Sequence, residues 1–136
     1  MTSIARTLLA ATLACACLHA SAAENPLSVH ILDLQSGQPS AGVGVVLEAR
    51  DGQQWRTIGQ AVTDAQGRVR ALYPASKALT AGAYRIVFKT GDHYARLGQP
   101  TFFDQIPVEF KVENTAQHYH IPLLLSPYGY STYRGN

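Results

Sequence analysis

Short runs of alternating apolar and polar residues, separated by turn residues, constrain this chain more than any other feature. Leu27, Val29 and Ile31 are separated by Ser28 and His30, and the segment from Val43 to Arg50 repeats the alternation. A period of two residues is typical of strands that bury one face. Glycine, proline and aspartate end the runs at intervals of about 8 to 12 residues. The pattern predicts an all-β domain.

The expected fold is a two-sheet sandwich of about eight strands with one short helix. Strands are predicted at residues 27–33, 43–50, 55–62, 68–72, 84–89, 106–112, 118–125 and 130–134. The helical turn is predicted at 91–98, where Asp92 can cap the backbone donors that follow.

The first 23 residues have the layout of a secretory signal peptide. Arg6 precedes an apolar stretch from Leu8 to Leu18, and small residues follow at 20–23, as signal peptidase requires. The apolar stretch is shorter than the roughly 20 residues that a membrane span needs. We therefore predict a cleaved leader at 1–23, a mature domain at 24–136, and a periplasmic or secreted protein that has no membrane anchor.

Both cysteines, Cys15 and Cys17, lie in the predicted leader. The mature domain then has no disulfide, no thiolate nucleophile and no zinc–thiolate site. Removing Arg6 leaves ten basic residues against nine acidic ones, a net charge of about +1. Because the basic residues are scattered, neither nucleic acid nor a membrane surface is an expected partner.

Histidines are the first candidates for chemistry in a mature domain without cysteine. The period of two places His30 opposite the aliphatic face of its strand, and it directs His118 and His120 away from the sandwich interior. Such histidines can simply face solvent, or they can line a site. The C-terminal run from Tyr128 to Asn136 is dense in hydrogen-bonding groups, whereas a frayed tail is usually less aromatic.

Four segments resemble signature blocks of the 5-hydroxyisourate hydrolases. They are LSVHILD at 27–33, TDAQGR at 63–68, HYHIPLLLSP at 118–127 and YSTYRG at 130–135. The blocks stand in order and the similarity covers essentially the whole mature chain, so the joint match is specific. The resemblance implies a transthyretin sandwich of two four-stranded sheets, a homotetramer built as a dimer of dimers, and active sites at the interface between dimers.

The resemblance also implies hydrolysis of 5-hydroxyisourate to 2-oxo-4-hydroxy-4-carboxy-5-ureidoimidazoline in purine (urate) catabolism, without a metal or other cofactor. It assigns catalytic roles to His30, Arg68 and His120, and substrate binding to His30, Arg68 and Tyr133. An imidazole can deprotonate the attacking water, and an arginine can donate a fork of hydrogen bonds to carbonyl oxygens. Arg134 is a further substrate-binding candidate, although it can instead pair with a carboxylate and order the tail.

Other residues have more ordinary interpretations. We expect His93 on the surface and Asp33 as a turn cap, and a metal pair at His118 and His120 lacks an evident third ligand. Pro122 removes a backbone donor, which predicts a sheet edge or a break in the ladder.

The C-terminal residue departs from the family pattern. The family usually ends in serine, whereas this chain ends in Asn136, which keeps a donor and an acceptor but loses the hydroxyl. Asn136 is therefore left out of the catalytic set.

Two alternative functions remain open at the level of sequence. Transthyretin itself uses the same sandwich to carry small aromatic ligands, so a non-catalytic binding protein is one alternative, and a structural envelope sandwich is another. A carrier has no chemical need for the set formed by His30, Arg68 and His120.

Overall fold

Eight strands and one helix make up residues 23–136, the part of the chain that the computed structural model describes. The strands are β1 (Leu27–Asp33), β2 (Gly44–Asp51), β3 (Gln54–Val62), β4 (Arg68–Val69), β5 (Gly82–Phe88), β6 (Ile106–Val112), β7 (Tyr119–Ser126) and β8 (Gly129–Thr132). The helix α1 (Thr90–Arg96) connects β5 to β6. The leader prediction lies outside the described residues, apart from Ala23.

The strands form two four-stranded sheets, ordered β4-β1-β7-β8 and β3-β2-β5-β6. β1 and β7 run parallel, while the other neighbouring strands are antiparallel. The predicted all-β sandwich with one short helix is therefore confirmed. Because β1 and β7 are the two inner strands of their sheet, each is hydrogen-bonded to a strand on both sides. Their backbones therefore hold outward-facing side chains in defined positions.

The core lies between the two sheets and is built from alternate residues of each strand. Leu27, Val29 and Ile31 of β1 are fully buried, as is Leu123 of β7, and Leu125 is nearly so. Burying one such side chain stabilises a fold by about 1.5–3 kcal/mol. The intervening residues of β1 and β7 consequently face away from the core, as the period of two predicted.

The helix differs from its prediction in its start and in its buried face. It begins at Thr90 and has no side-chain cap, so the prediction that Asp92 caps it was wrong: Asp92 lies inside the first turn. The prediction of a surface position for His93 was also wrong, because α1 packs with His93 and Tyr94 turned inward, and His93 is only 9% exposed. None of the helices within residues 23–136 is long and apolar enough to cross a membrane.

The sequence predicted a sheet edge or a break in the ladder at Pro122, and the structure shows the break, on an inner strand. The β7–β8 pairing ends at Leu123 and Thr132. Beyond it, the Thr132 hydroxyl donates to the Pro122 carbonyl at 2.8 Å, and the next pairing is a single bridge between His120 and Gly135. The missing amide of Pro122 thus coincides with the point where the tail leaves the regular ladder.

Candidate active site

The outer face of the β4-β1-β7-β8 sheet gathers the polar side chains of three strands. The register pairs His30 with Arg68 across β1 and β4, and Ser28 with His120 across β1 and β7. Directly paired residues share a sheet face, and so do residues two apart on one strand. His118, which precedes β7, is held beside them by its hydrogen bonds. This arrangement brings together the three residues expected to be catalytic.

A cavity of about 600 Å³ lies over this face. Its polar lining residues are Glu24, Asn25, Ser28, Arg68, Arg70, His118, His120 and Asn136. His30 is not part of the lining, although it lies close enough to Arg68 and His120 for their charges to act on one another. The cavity therefore contains two of the three predicted catalytic residues, with the third at its side.

Ser28 connects two imidazoles within this cavity. Its Oγ lies 2.8 Å from Nδ1 of His120 and 2.8 Å from Nε2 of His118. On its far side, His118 donates from Nδ1 to the carbonyl oxygen of Asn25 at 2.8 Å. Ser28 was not among the residues predicted from the sequence, because its position between the histidines depends on the parallel register of β1 and β7. The same contacts show that His118 and His120 both bind this hydroxyl.

The electrostatic environment keeps both predicted catalytic histidines neutral near pH 7. Burial lowers the pKa of His120, and charge repulsion from Arg68, and from His118 and His30 whenever these are protonated, lowers it further, while a hydrogen bond to the Ser28 backbone acts in the opposite direction. For His30, burial and then Arg68 lower the pKa, and the Gln66 backbone and Asp64 partly offset them. A neutral imidazole retains a lone pair, so each histidine can accept a proton from water.

A tight turn positions Arg68 at the start of β4. The Asp64 carboxylate accepts hydrogen bonds from the amides of Gln66 and Arg68, each at 2.9 Å, and these amides lower the pKa of Asp64. Gly67 has a φ of 69°, and a Cβ there would lie 2.5 Å from the carbonyl oxygen of Ile31. Within residues 23–136 both ion pairs lie elsewhere, so the Arg68 guanidinium has no carboxylate partner there.

The C-terminal tail packs directly on His120. The Gly135 amide donates to the His120 carbonyl at 2.9 Å, and a Cβ on Gly135 would lie 2.5 Å from Cδ2 of the His120 ring. No larger residue fits at 135 without displacing the tail or the imidazole. The tail thereby brings Asn136 into the lining of the 600 Å³ cavity, where the sequence analysis had not placed a functional residue.

The two other predicted tail residues lie away from that cavity. Tyr133 is 57% exposed. With Arg134 it lines a separate cavity of about 220 Å³, which His120 also borders. Arg134 donates to the Gln117 side chain at 2.8 Å and lies over the Tyr119 ring, 5.2 Å from its centroid. Arg134 therefore orders the tail through an amide and an aromatic ring rather than through a carboxylate.

The remaining candidates have structural contacts. Asp33 accepts a hydrogen bond from the Ser36 amide at 3.0 Å, as expected of a turn cap. In the described part of the chain, no group of three or more His, Cys, Asp or Glu residues is placed to hold a metal ion.

Known proteins resemble this chain in sequence and in structure. The model of the HIUase/Transthyretin family matches residues 27–135. A 5-hydroxyisourate hydrolase from Salmonella dublin is 48% identical over 133 residues, which are 98% of this chain and 97% of the relative.

Two solved structures share the fold. That of Klebsiella pneumoniae 5-hydroxyisourate hydrolase has a TM-score of 0.70 and 41% identity, and the match covers 81% of this chain and 98% of that one. That of sea bream transthyretin in complex with thyroxine has a TM-score of 0.75 and 32% identity, covering 81% and 94%.

Proposed function

This chain belongs to the HIUase/transthyretin family, and we propose on that basis that it is a metal-independent 5-hydroxyisourate hydrolase of purine (urate) catabolism. It hydrolyses 5-hydroxyisourate to 2-oxo-4-hydroxy-4-carboxy-5-ureidoimidazoline. The observation that carries the proposal is the gathering of His30, Arg68 and His120 on one sheet face, beside a cavity of about 600 Å³.

The comparisons favour the hydrolase over the carrier. The Salmonella dublin hydrolase matches at 48% identity over 98% of the chain, whereas the sea bream transthyretin matches at 32% over 81%. The chemistry of the face points the same way, because a carrier of aromatic ligands needs neither paired neutral imidazoles nor an arginine without a carboxylate partner. The resemblance found in the sequence motifs is thereby confirmed.

The proposed reaction adds water to the ring carbonyl carbon and breaks the bond from that carbon to the adjoining ring nitrogen. His120, with His30 beside it, accepts a proton from the attacking water, a contribution typically worth about 10² to 10⁴ in rate. Arg68 donates to the oxyanion that develops on the carbonyl oxygen, and loss of one such donor typically costs about 10²- to 10³-fold in kcat. The departing nitrogen takes the proton back, leaving a carboxyl group and a ureido group.

Substrate binding is proposed to use the same residues together with the tail. Arg68 offers a fork of donors to the carbonyl-rich substrate, and His30 lies beside it. Tyr133 and Arg134 line the neighbouring 220 Å³ cavity, which shares His120 with the main one. In this proposal Tyr133 reaches substrate when a second protomer closes over the outer sheet face, and Arg134 holds the tail in place.

The protein is proposed to act as a homotetramer, a dimer of dimers. Within the described residues, the edge strands β3, β4, β6 and β8 each pair with only one strand, and such open edges are natural sites of strand pairing between protomers. Near β8, Phe102 is 75% exposed and Tyr128 is 68% exposed. Light scattering after size exclusion should give the mass of four protomers. A fully active monomer at the assay concentration would rule out an active site that needs the tetramer.

Export is proposed through cleavage of the leader at 1–23, which would place the enzyme in the periplasm or outside the cell. The match to the Salmonella dublin relative covers 98% of this chain and so includes most of the leader. Mass spectrometry of the periplasmic fraction should find a mature protein that begins at Ala23 or Glu24. Recovery of the uncleaved chain in the cytoplasm would contradict export.

The direct test follows the decay of freshly generated 5-hydroxyisourate by ultraviolet absorbance, with purified protein against an enzyme-free control. The protein should accelerate the decay, and His30→Ala and His120→Ala should each lower kcat by about 10² to 10⁴ while the fold is retained. Decay at the spontaneous rate with a folded tetramer would favour the carrier. A fully active His120→Ala variant would remove His120 from the mechanism.

A further inference from the structure

We infer that Ser28 and His118 are positioning residues that hold a proton on Nδ1 of His120 and thereby make Nε2 of His120 the general base. The inference rests on the proposed function, because a hydrolytic reaction is what requires a base at this atom. It adds two residues to the site that neither the motifs nor the family resemblance assigned.

The direction of the hydrogen bonds follows from the one partner that can only accept. The carbonyl oxygen of Asn25 lies 2.8 Å from Nδ1 of His118, so this nitrogen carries a proton. In a neutral imidazole the other nitrogen, Nε2, then has a lone pair. It accepts the single hydroxyl proton of Ser28 across 2.8 Å.

The Ser28 hydroxyl can then only accept from its second imidazole neighbour. Because its proton is directed to His118, Oγ accepts from Nδ1 of His120, also across 2.8 Å. A neutral His120 that is protonated on Nδ1 has its lone pair on Nε2. A second proton on His118 would reverse the relay: Ser28 would then donate to Nδ1 of His120, and the proton of His120 would move to Nε2.

The fold builds this relay through the parallel pairing of β1 with β7. Ser28 lies directly opposite His120 in the register, and His118 stands two residues before His120 along the chain. Both histidines are half-buried and line the cavity. Partial burial limits competition from water for these hydrogen bonds and strengthens them.

In the reaction, Nε2 of His120 accepts one proton from the attacking water. The imidazolium that forms keeps its hydrogen bond from Nδ1 to the Ser28 oxygen. This bond holds the ring in place while Nε2 carries the proton taken from water. That proton then passes from Nε2 to the departing ring nitrogen, and the neutral His120 is restored with its original proton on Nδ1. Ser28 and His118 touch no reacting atom in this scheme.

The test compares Ser28→Ala, Ser28→Thr and His118→Phe with the matched control Ser76→Ala, which removes an exposed hydroxyl from a loop. Ser28→Ala and His118→Phe should lower kcat by about 10- to 100-fold, the range known for hydrogen-bond partners that orient metal-bound imidazoles, with little change in KM. Ser28→Thr keeps a hydroxyl and should retain most of the activity. Full activity in both Ser28→Ala and His118→Phe would overturn the inference.

Nitrogen-15 NMR of protein labelled at histidine reports the tautomer of the His120 ring. This tautomer would not change in the variants if Ser28 and His118 had a purely structural role. Above pH 7 the His120 ring should show the proton on Nδ1 in the parent protein, and a mixture of tautomers in Ser28→Ala. A proton on Nε2 in the parent protein would refute the relay. If the parent protein does not hydrolyse 5-hydroxyisourate, the proposed function fails, and the NMR measurement still decides where the proton lies.

Discussion

Replacing Gly135 by alanine should disable the site with little loss of overall stability. The added Cβ would lie 2.5 Å from Cδ2 of His120 and 3.0 Å from Cγ of Pro122, so something must move. A shift of the imidazole away from the new Cβ would strain or break its 2.8 Å contact with the Ser28 hydroxyl. Otherwise the tail must lift, which breaks the hydrogen bond from the Gly135 amide to the His120 carbonyl.

The stability cost of either movement is small. One hydrogen bond contributes about 0.5–1.5 kcal/mol net, and about 1 kcal/mol moves the Tm of a domain of roughly 100 residues by 4–8 °C. The activity cost is larger, because a lifted tail withdraws Asn136 from the cavity and a rotated ring misdirects the base. We expect kcat/KM to fall by about 10- to 100-fold, the range known for partners that orient metal-bound imidazoles.

The assay is the decay of 5-hydroxyisourate, measured beside thermal unfolding of the same samples. Gly129→Ala is the matched control, because a Cβ there meets nothing closer than 3.6 Å. Full kcat/KM in Gly135→Ala would refute the reasoning that the tail packing holds the His120 ring. A fall in Tm of much more than about 8 °C would show that the tail supports the fold as well as the site.

The other predictions concern pH, charge geometry, the tail and acid stability. Because the pKa values of His30 and His120 are lowered, kcat/KM should stay constant at neutral pH and fall only below about pH 6.5, as a pH–rate profile would show. Arg68→Lys keeps the charge but loses the fork of donors, so kcat should fall by about 10²-fold, and wild-type turnover would refute the proposed role. Truncation after Thr132 removes the tail from His120 and should abolish turnover of 5-hydroxyisourate; unchanged turnover would contradict the role of the C-terminal motif. Burial lowers the pKa of His93 in the folded protein, so neutral His93 stabilises the fold above about pH 6.5, and this stabilisation is lost as the pH falls. His93→Gln should therefore make the free energy of unfolding in urea less sensitive to pH between 7 and 5. An unchanged pH dependence would contradict this prediction.

The sequence predicted the outward direction of the catalytic candidates on β1 and β7, and the period of two explains why. Alternation along β1 and β7 determines which side chains face the core, so the outward direction of His30 and His120 followed from their neighbours alone. The turn before Arg68 was also predictable from the sequence, because it depends on neighbouring residues. Asp64 accepts a hydrogen bond from the Arg68 amide, and Gly67 adopts the positive φ of the turn. Such local features can be predicted from the sequence because the groups that cause them are adjacent along the chain.

Placements that depend on remote packing differ from, or go beyond, what the sequence predicted. The helix lacks its expected cap, and His93 is buried, because α1 is positioned by the strands that it joins rather than by its own first turn. Pro122 lies on an inner strand, since the chain order does not reveal that β7 is inserted between β1 and β8. Tyr133 and Arg134 belong to a neighbouring cavity, because the single bridge at Gly135 directs the tail past the end of β8.

The sequence by itself determined the strands, the outward-facing histidines and the family motifs, because these depend on local alternation and turn chemistry. Only the tertiary structure decided that Ser28 stands between His118 and His120, since those contacts join residues 90 and 92 positions apart. A shift of one residue in the β1–β7 register would turn Ser28 toward the opposite face relative to His120. The parallel ladder between two distant strands therefore sets the proton arrangement that the proposed chemistry requires.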